Sequence, residues 1–207
     1  MDGFFISFEG IDGSGKSTQA RLLADSLRAA GQGVTLTREP GGSAGAEEIR
    51  RLVLEGATDR WSAETEILLF TAARRDHVEK TIRPALARGE VVITDRFADS
   101  TRIFQGITRG DLSATVDTLH DLMIGLAPDL TLLFDLDPTV GLARATARAG
   151  TEMRFEEMGL AFQTRARAGF LALAKAHPRF RVIDGARGPD AVAADALGHV
   201  LAAMGAR

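Results

Sequence analysis

The segment Gly10-Ile11-Asp12-Gly13-Ser14-Gly15-Lys16-Ser17 satisfies G-x-x-x-x-G-K-S/T in full, and no other feature restricts the fold as much. Before it, Phe4, Ile6 and Phe8 alternate as in a strand that ends near Glu9. After it, Ala20, Leu23, Ala24 and Leu27 recur at helical spacing over residues 16–30, with Gly31 as the stop. This strand–loop–helix context separates a phosphate-binding loop from a chance glycine-rich turn. Glycines let successive N–H groups point at phosphate oxygens, and the helix N-terminus adds partial positive charge. Lys16 can reach the β- and γ-phosphates of a nucleoside triphosphate, and the Ser17 hydroxyl can bind Mg²⁺. The predicted triphosphate site is Gly10, Ile11, Asp12, Gly13, Ser14, Gly15, Lys16, Ser17 and Thr18.

Short apolar runs alternate with helical patterns along the rest of the chain. Strands are predicted at Gly33 to Thr37, Val91 to Ile93, Leu130 to Leu136 and Phe180 to Ile183. Helices are predicted over 44–55, roughly 63–87 and about 189–205, and Asp137-Pro138 reads as an N-cap followed by Pro at the first helical position. The alternation predicts an α/β protein of P-loop NTPase fold, with a five-stranded parallel sheet and helices on both faces. The 207 residues suit one domain over 1–207. A net charge of −3 gives no global attraction for nucleic acid or an anionic membrane, so any basic site must be local. The absence of Cys excludes disulfides, thiolate metal sites and a Cys nucleophile. No apolar run reaches the roughly 18 residues of a membrane span, and the N-terminus lacks a basic leader. A soluble cytoplasmic protein, with neither membrane nor nucleic acid as partner, is expected.

Three further segments offer an acceptor site facing the γ-phosphate. Thr37-Arg38-Glu39-Pro40-Gly41-Gly42 sets an Arg, an acid and a backbone-shaping turn at a strand end, although on spacing alone a solvated turn fits equally. Val91-Val92-Ile93-Thr94-Asp95-Arg96-Phe97 brings a carboxylate out of an apolar strand, suited to support Mg²⁺ or the acceptor. Arg96 can fork onto a phosphate, and a structural Asp–Arg pair is the plainer alternative. Arg144, Arg148 and Arg154 surround Gly150-Thr151 and suggest a basic lid at about 144–156, which could neutralise transition-state charge and exclude water; a solvated helix face is the alternative.

With the loop, these segments resemble thymidylate kinases, which phosphorylate dTMP with ATP. The matching stretches are Phe8 to Thr18, Thr37 to Gly42, Asp95-Arg96-Phe97, Ser100-Thr101 with Gln105-Gly106, and Arg83-Pro84-Ala85-Leu86. The resemblance implies that ATP with Mg²⁺ and dTMP are the substrates. It implies that Asp12 touches the acceptor sugar's 3′-hydroxyl, that Arg96 grips the dTMP phosphate, and that Ser17 and Asp95 stand near the metal. Phe70 and Arg74 resemble the pair that stacks on thymine and bonds its exocyclic oxygen; read alone, Phe70 would be core and Arg74 surface. Arg38, Pro40, Ser100, Thr101, Phe104 and Gln105 complete the implied dTMP site. A homodimer packed through helices is also implied.

Some members of the family carry a catalytic Arg in the loop, where this chain has Gly13, so the resemblance assigns catalysis to Lys16, Asp95, Arg96 and the lid arginines Arg144, Arg148 and Arg154. Two positions depart from the family: Phe104 stands where a Tyr helps exclude ribonucleotides, and Thr101 where some members have an Asn facing the base. The alternatives are another small P-loop kinase acting on a different nucleotide or nucleoside, and a nucleotide switch without transfer activity. A switch has no reason to carry Arg38, Phe70, Arg74 and Arg96, and the guanine-reading N/T-K-x-D motif is absent. By fold analogy, the loop Asp184 to Arg187 is the candidate adenine contact.

Overall fold

A computed structural model of the chain describes residues 3–147 and 158–206. The strands are β1 (Phe4–Glu9), β2 (Val34–Arg38), β3 (Val91–Asp95), β4 (Leu130–Asp135) and β5 (Phe180–Asp184). They form one sheet in the order β2-β3-β1-β4-β5, and every neighbouring pair is parallel. The expected five-stranded parallel sheet is therefore present, with each strand end within two residues of its predicted place.

β1 is central because its side chains can be buried on both sides. Phe4, Ile6 and Phe8 face α1 (Lys16–Ala29), where they meet Leu23 and Leu27. Phe5 turns to the other face and packs with Val78, Ile82, Ala85 and Phe97. Ser7, buried between strands, satisfies its hydroxyl on Thr131 at 2.9 Å.

The helices that follow are α2 (Ala44–Leu54) and α3 (Ala63–His77), the latter capped by Ser62 Oγ, which accepts from Thr65 N. α3 runs on through a π-helical segment, Val78–Ile82, into α4 (Arg83–Ala87). The single long helix predicted over 63–87 is thus continuous but contains a widened turn that periodicity does not show. α5 (Ala98–Thr101) likewise continues as a π-helical segment, Arg102–Ile107, and is followed by α6 (Ser113–Met123). α7 (Pro138–Thr146) begins at the predicted Asp137 cap, whose Oδ1 accepts from Thr139 N at 2.9 Å. α8 (Gly159–Ala176) is tied to the end of β4 by a bidentate pair, Arg167 to Asp135 at 2.7 and 2.8 Å. α9 (Pro189–Gly205) covers the α1 face with Val192, Ala196 and Val200.

β1 and β3 pair with Phe8 opposite Asp95, so the loop after β1 and the turn after β3 emerge side by side. Carboxyl ends of parallel strands at such a switch in strand order are where α/β sheets bind ligands.

Candidate active site

The loop after β1 turns on three glycines with positive φ: Gly10 at 139°, Gly13 at 75° and Gly15 at 92°. Gly13 has a second constraint. A Cβ there would lie 2.0 Å from the Gly141 carbonyl oxygen of α7, so the loop and α7 touch backbone to backbone. This explains physically why no Arg occupies this place. Gly13→Ala is expected to lower the unfolding free energy by about 2–4 kcal/mol. An unchanged calorimetric midpoint would contradict the close packing.

Lys16 folds back over the loop. Its Nζ donates to the Ile11 carbonyl at 2.7 Å and to Ser14 Oγ at 3.3 Å. Burial and the Arg96 charge lower its ammonium to about 8, against Asp95, Asp12 and Glu9, which raise it. Ser17 is exposed and its Oγ donates to Asp95 Oδ2. These two hard oxygen donors stand together in a cavity of about 560 Å³, lined also by Gly13, Gly15, Lys16, Arg38 and Arg50. Oxygens of this kind suit Mg²⁺, which is held by one or two protein groups and by substrate phosphates. Among the described residues no cluster of three or more His, Asp or Glu could hold a metal on its own.

Arg96 links this cavity to a second one. Its φ is 72°, the one positive value among the described non-glycine residues. Nη2 donates to Asp12 Oδ1 at 2.6 Å, and Nη1 donates to the Gly10 carbonyl and to Ser100 Oγ, each at 3.0 Å. The ion pair is with Asp12 and not with its neighbour Asp95. Asp12 also accepts from Gln163 Nε2 at 3.0 Å. Burial raises the Asp12 carboxyl, but Arg96, Lys16 and the bond from Gln163 outweigh it and hold the group below the ordinary carboxylate value. The Arg96 guanidinium lies 4.9 Å over the Phe104 ring, which stacks in turn on Phe162.

The second cavity, about 180 Å³, is lined by Pro40, Phe70, Arg74, Ser100, Thr101, Phe104 and Gln105, and shares Asp12, Glu39, Arg50 and Arg96 with the first. Arg74 is buried, against the plainer reading of it as a surface residue. Its Nε donates to Glu39 Oε2 at 2.7 Å and its Nη2 to Thr101 Oγ1 at 2.9 Å. His77 Nδ1 holds the other Glu39 oxygen at 3.0 Å. A carboxylate braced on both oxygens fixes the Arg74 guanidinium at the cavity wall.

Most of the predicted residues thus converge. Gly10, Ile11, Ser14 and Thr18 shape the loop but do not line its cavity. Arg38 lines the phosphate cavity yet is exposed and paired with Glu47 at 3.1 Å. Arg144 is exposed in the last turn of α7 and lines neither cavity, and Arg148 and Arg154 lie outside the described residues. Four groups were missed. Glu9, fully buried, accepts from the Phe97 N–H at 2.8 Å and from Ser100 Oγ at 2.6 Å; burial and Asp99 push it up to about 7. Glu39 belongs to the Thr37-to-Gly42 segment, where nothing in the sequence marks it as buried. Arg50 donates to the Pro40 carbonyl at 2.6 Å and has no signal separating it from Arg51. Gln163 reaches Asp12 only through folding.

The thymidylate kinase family model matches residues 8–196. This chain belongs to the thymidylate kinase family. A thymidylate kinase from Ruegeria pomeroyi is 70% identical over 200 residues, spanning 96% of this chain and 95% of its own. One from Dinoroseobacter shibae is 65% identical over 202 residues, spanning 97% and 98%. The crystal structure of thymidylate kinase from Ehrlichia chaffeensis superposes with a TM-score of 0.77 at 36% identity, covering 97% of this chain and 99% of that one. The P-loop NTPase fold expected from the loop is the fold the two share.

Proposed function

We propose that this chain transfers the γ-phosphate of ATP to dTMP, giving dTDP and ADP. The observation that carries the reading is the shared wall of Asp12 and Arg96, which joins a phosphate cavity holding Lys16 to an aromatic and Arg-lined cavity holding Phe70 and Arg74. ATP lies along residues 10–18 with its phosphates on Lys16. The loop after β5, which abuts the phosphate loop where a Cβ on Gly185 would lie 3.3 Å from the Ser14 carbonyl, is the candidate contact for the adenine. Ser17 and Asp95 would hold Mg²⁺, which when bound would neutralise charge on the phosphates.

dTMP lies in the second cavity, its base against Phe70 and Arg74, its sugar near Asp12 and its phosphate on Arg96. Arg38, Pro40, Ser100, Thr101, Phe104 and Gln105 complete its surroundings. A phosphate monoester, with a second pKa of about 6, is already ionised at neutral pH and needs no strong base. Its oxygen attacks the γ-phosphorus in line, the bond to the β-bridging oxygen breaks, and ADP leaves with that electron pair. Catalysis is positioning plus charge neutralisation by Lys16, Arg96 and the lid arginines Arg144, Arg148 and Arg154 at about 144–156 of a single domain. Phe104 excludes a 2′-hydroxyl by bulk alone. Exposed Leu68 on α3 with Leu122 and Met123 on α6 supports a homodimer packed through helices. Among the described residues no helix is long and apolar enough to cross a membrane. A cytoplasmic enzyme with neither membrane nor nucleic acid as partner belongs to the same reading, since a net charge of −3 gives no global attraction for either.

Incubation with γ-labelled ATP and dTMP tests the reading: the label is expected on the terminal phosphate of dTDP. Label found only in free phosphate would make water the acceptor and defeat it. A pH series gives a second check. Lys16 loses its charge as pH rises through about 8, so kcat/KM for ATP is expected to fall about tenfold per unit above that point. At saturating ATP the phosphates face the ammonium and keep it charged, so kcat stays level over the same range. A flat kcat/KM profile between pH 7 and 9, roughly one unit either side of that value, would contradict the assignment of Lys16.

A further inference from the structure

Glu66 lies on α3, wholly buried, and has no place in the machinery described above. Its Oε2 accepts from Gln105 Nε2 at 3.0 Å. Its Oε1 pairs with the Arg109 guanidinium, which also donates to the Trp61 carbonyl at 3.1 Å. A buried carboxylate holding an Arg on one oxygen remains an acceptor on the other. It therefore decides which end of the Gln105 amide turns inward. Nε2 goes to Glu66, and Oε1 is left for the cavity that Gln105 lines. A terminal amide without such a neighbour presents either end at little cost.

Across the same cavity, Thr101 Oγ1 already accepts from Arg74, so its own proton is available as a donor. The polar wall has a sense set by its two one-way groups, the donor guanidinium of Arg74 and the acceptor oxygen of Gln105, and the Thr101 hydroxyl can join the donor side. That complements a pyrimidine edge with a carbonyl at C4 and an N–H at N3. A cytosine edge, with an amine and a bare ring nitrogen, reverses both.

We propose that Glu66 is a positioning residue that sets the sense of the Gln105 amide, so that the cavity takes pyrimidines bearing N3–H and rejects those with a bare N3. The proposal rests on the reading that the base of dTMP occupies this cavity. Arg109 belongs to the same device, because it keeps Glu66 an acceptor.

The test compares kcat/KM for dTMP and dCMP in Glu66→Gln and Glu66→Asp, with thermal midpoints measured alongside. Glu66→Gln reverses the sense, since the donor-only Arg109 takes the new amide oxygen and leaves its NH2 for Gln105 Oε1, and the dTMP-over-dCMP ratio is expected to fall about tenfold or more. Glu66→Asp keeps an acceptor-only carboxylate and is expected to hold the ratio within about threefold, even where it costs as much stability. A purely structural Glu66 would change the midpoints and move both substrates together. An unchanged ratio in Glu66→Gln, or an equal fall in Glu66→Asp, overturns the proposal. Wild-type turnover separates the two levels. If dTMP is not phosphorylated, the reading of the cavity fails; if it is and the ratio stays fixed in Glu66→Gln, only the role of Glu66 fails.

Discussion

Lys16→Ala lowers kcat by roughly 10³-fold while the fold survives. The ammonium is the cationic side chain that lies on the loop itself, where its two acceptors are the Ile11 carbonyl and Ser14 Oγ. In the free protein it faces Asp12 and Asp95 on one side and Arg96 on the other. Attraction and repulsion therefore partly cancel, and truncation changes stability little. With ATP bound the balance changes, because the γ-phosphate gains negative charge on its outer oxygens as it transfers, and no other loop side chain offers a cation. The loss falls on kcat more than on KM for ATP, as expected of an interaction that strengthens in the transition state. A Lys16→Ala protein with near wild-type kcat would refute the assignment of the phosphate loop.

Arg96→Ala is expected to reduce kcat/KM for dTMP by roughly 10³-fold and to destabilise the fold by about 2–3 kcal/mol. The stability term follows from Asp12, which would keep Gln163 and Lys16 nearby but lose its charged hydrogen bond. It stays below the cost of breaking a fully buried pair because both side chains retain 17% exposure. The backbone allows the two effects to be separated. At φ 72° an Ala is strained and a Gly is not, so Arg96→Gly should be more stable than Arg96→Ala by about 1 kcal/mol and no more active. Arg96→Lys restores a charge but not the fork, and should recover only part of the loss. If Arg96→Gly regained activity along with stability, the guanidinium would be merely structural.

The parts of this site that were legible in the sequence are those where local chemistry dictates position. A glycine-rich loop between a strand and a helix can hold little but phosphate, and Asp95-Arg96 at the end of an apolar strand must emerge at the sheet's ligand edge. Sheet order was less accessible, yet a β-branched run such as Val91-Val92-Ile93 already required burial on both faces. What escaped was whatever depends on tertiary packing. Glu9, Glu39 and Glu66 read as ordinary acids, and only the fold shows them buried against Ser100, Arg74 and Gln105. The π-helical segments Val78–Ile82 and Arg102–Ile107 have no signature in apolar spacing, and α6 and α8 were not anticipated. His120, to which the sequence lent no role, proves to be a buried imidazole edge-on to Phe97, lowered to about 4 by burial and the Arg102 and Arg74 charges. It supports the cavity from behind as a neutral group.

Transfer to dTMP is tested by ADP release with ATP·Mg²⁺ against dTMP, dUMP, UMP, dCMP and thymidine at matched concentrations. The highest kcat/KM is expected for dTMP, with UMP held back by the bulk of Phe104 and dCMP by the donors of Arg74 and Thr101. A higher value for thymidine or for another monophosphate, or ADP release that no acceptor stimulates, would contradict it.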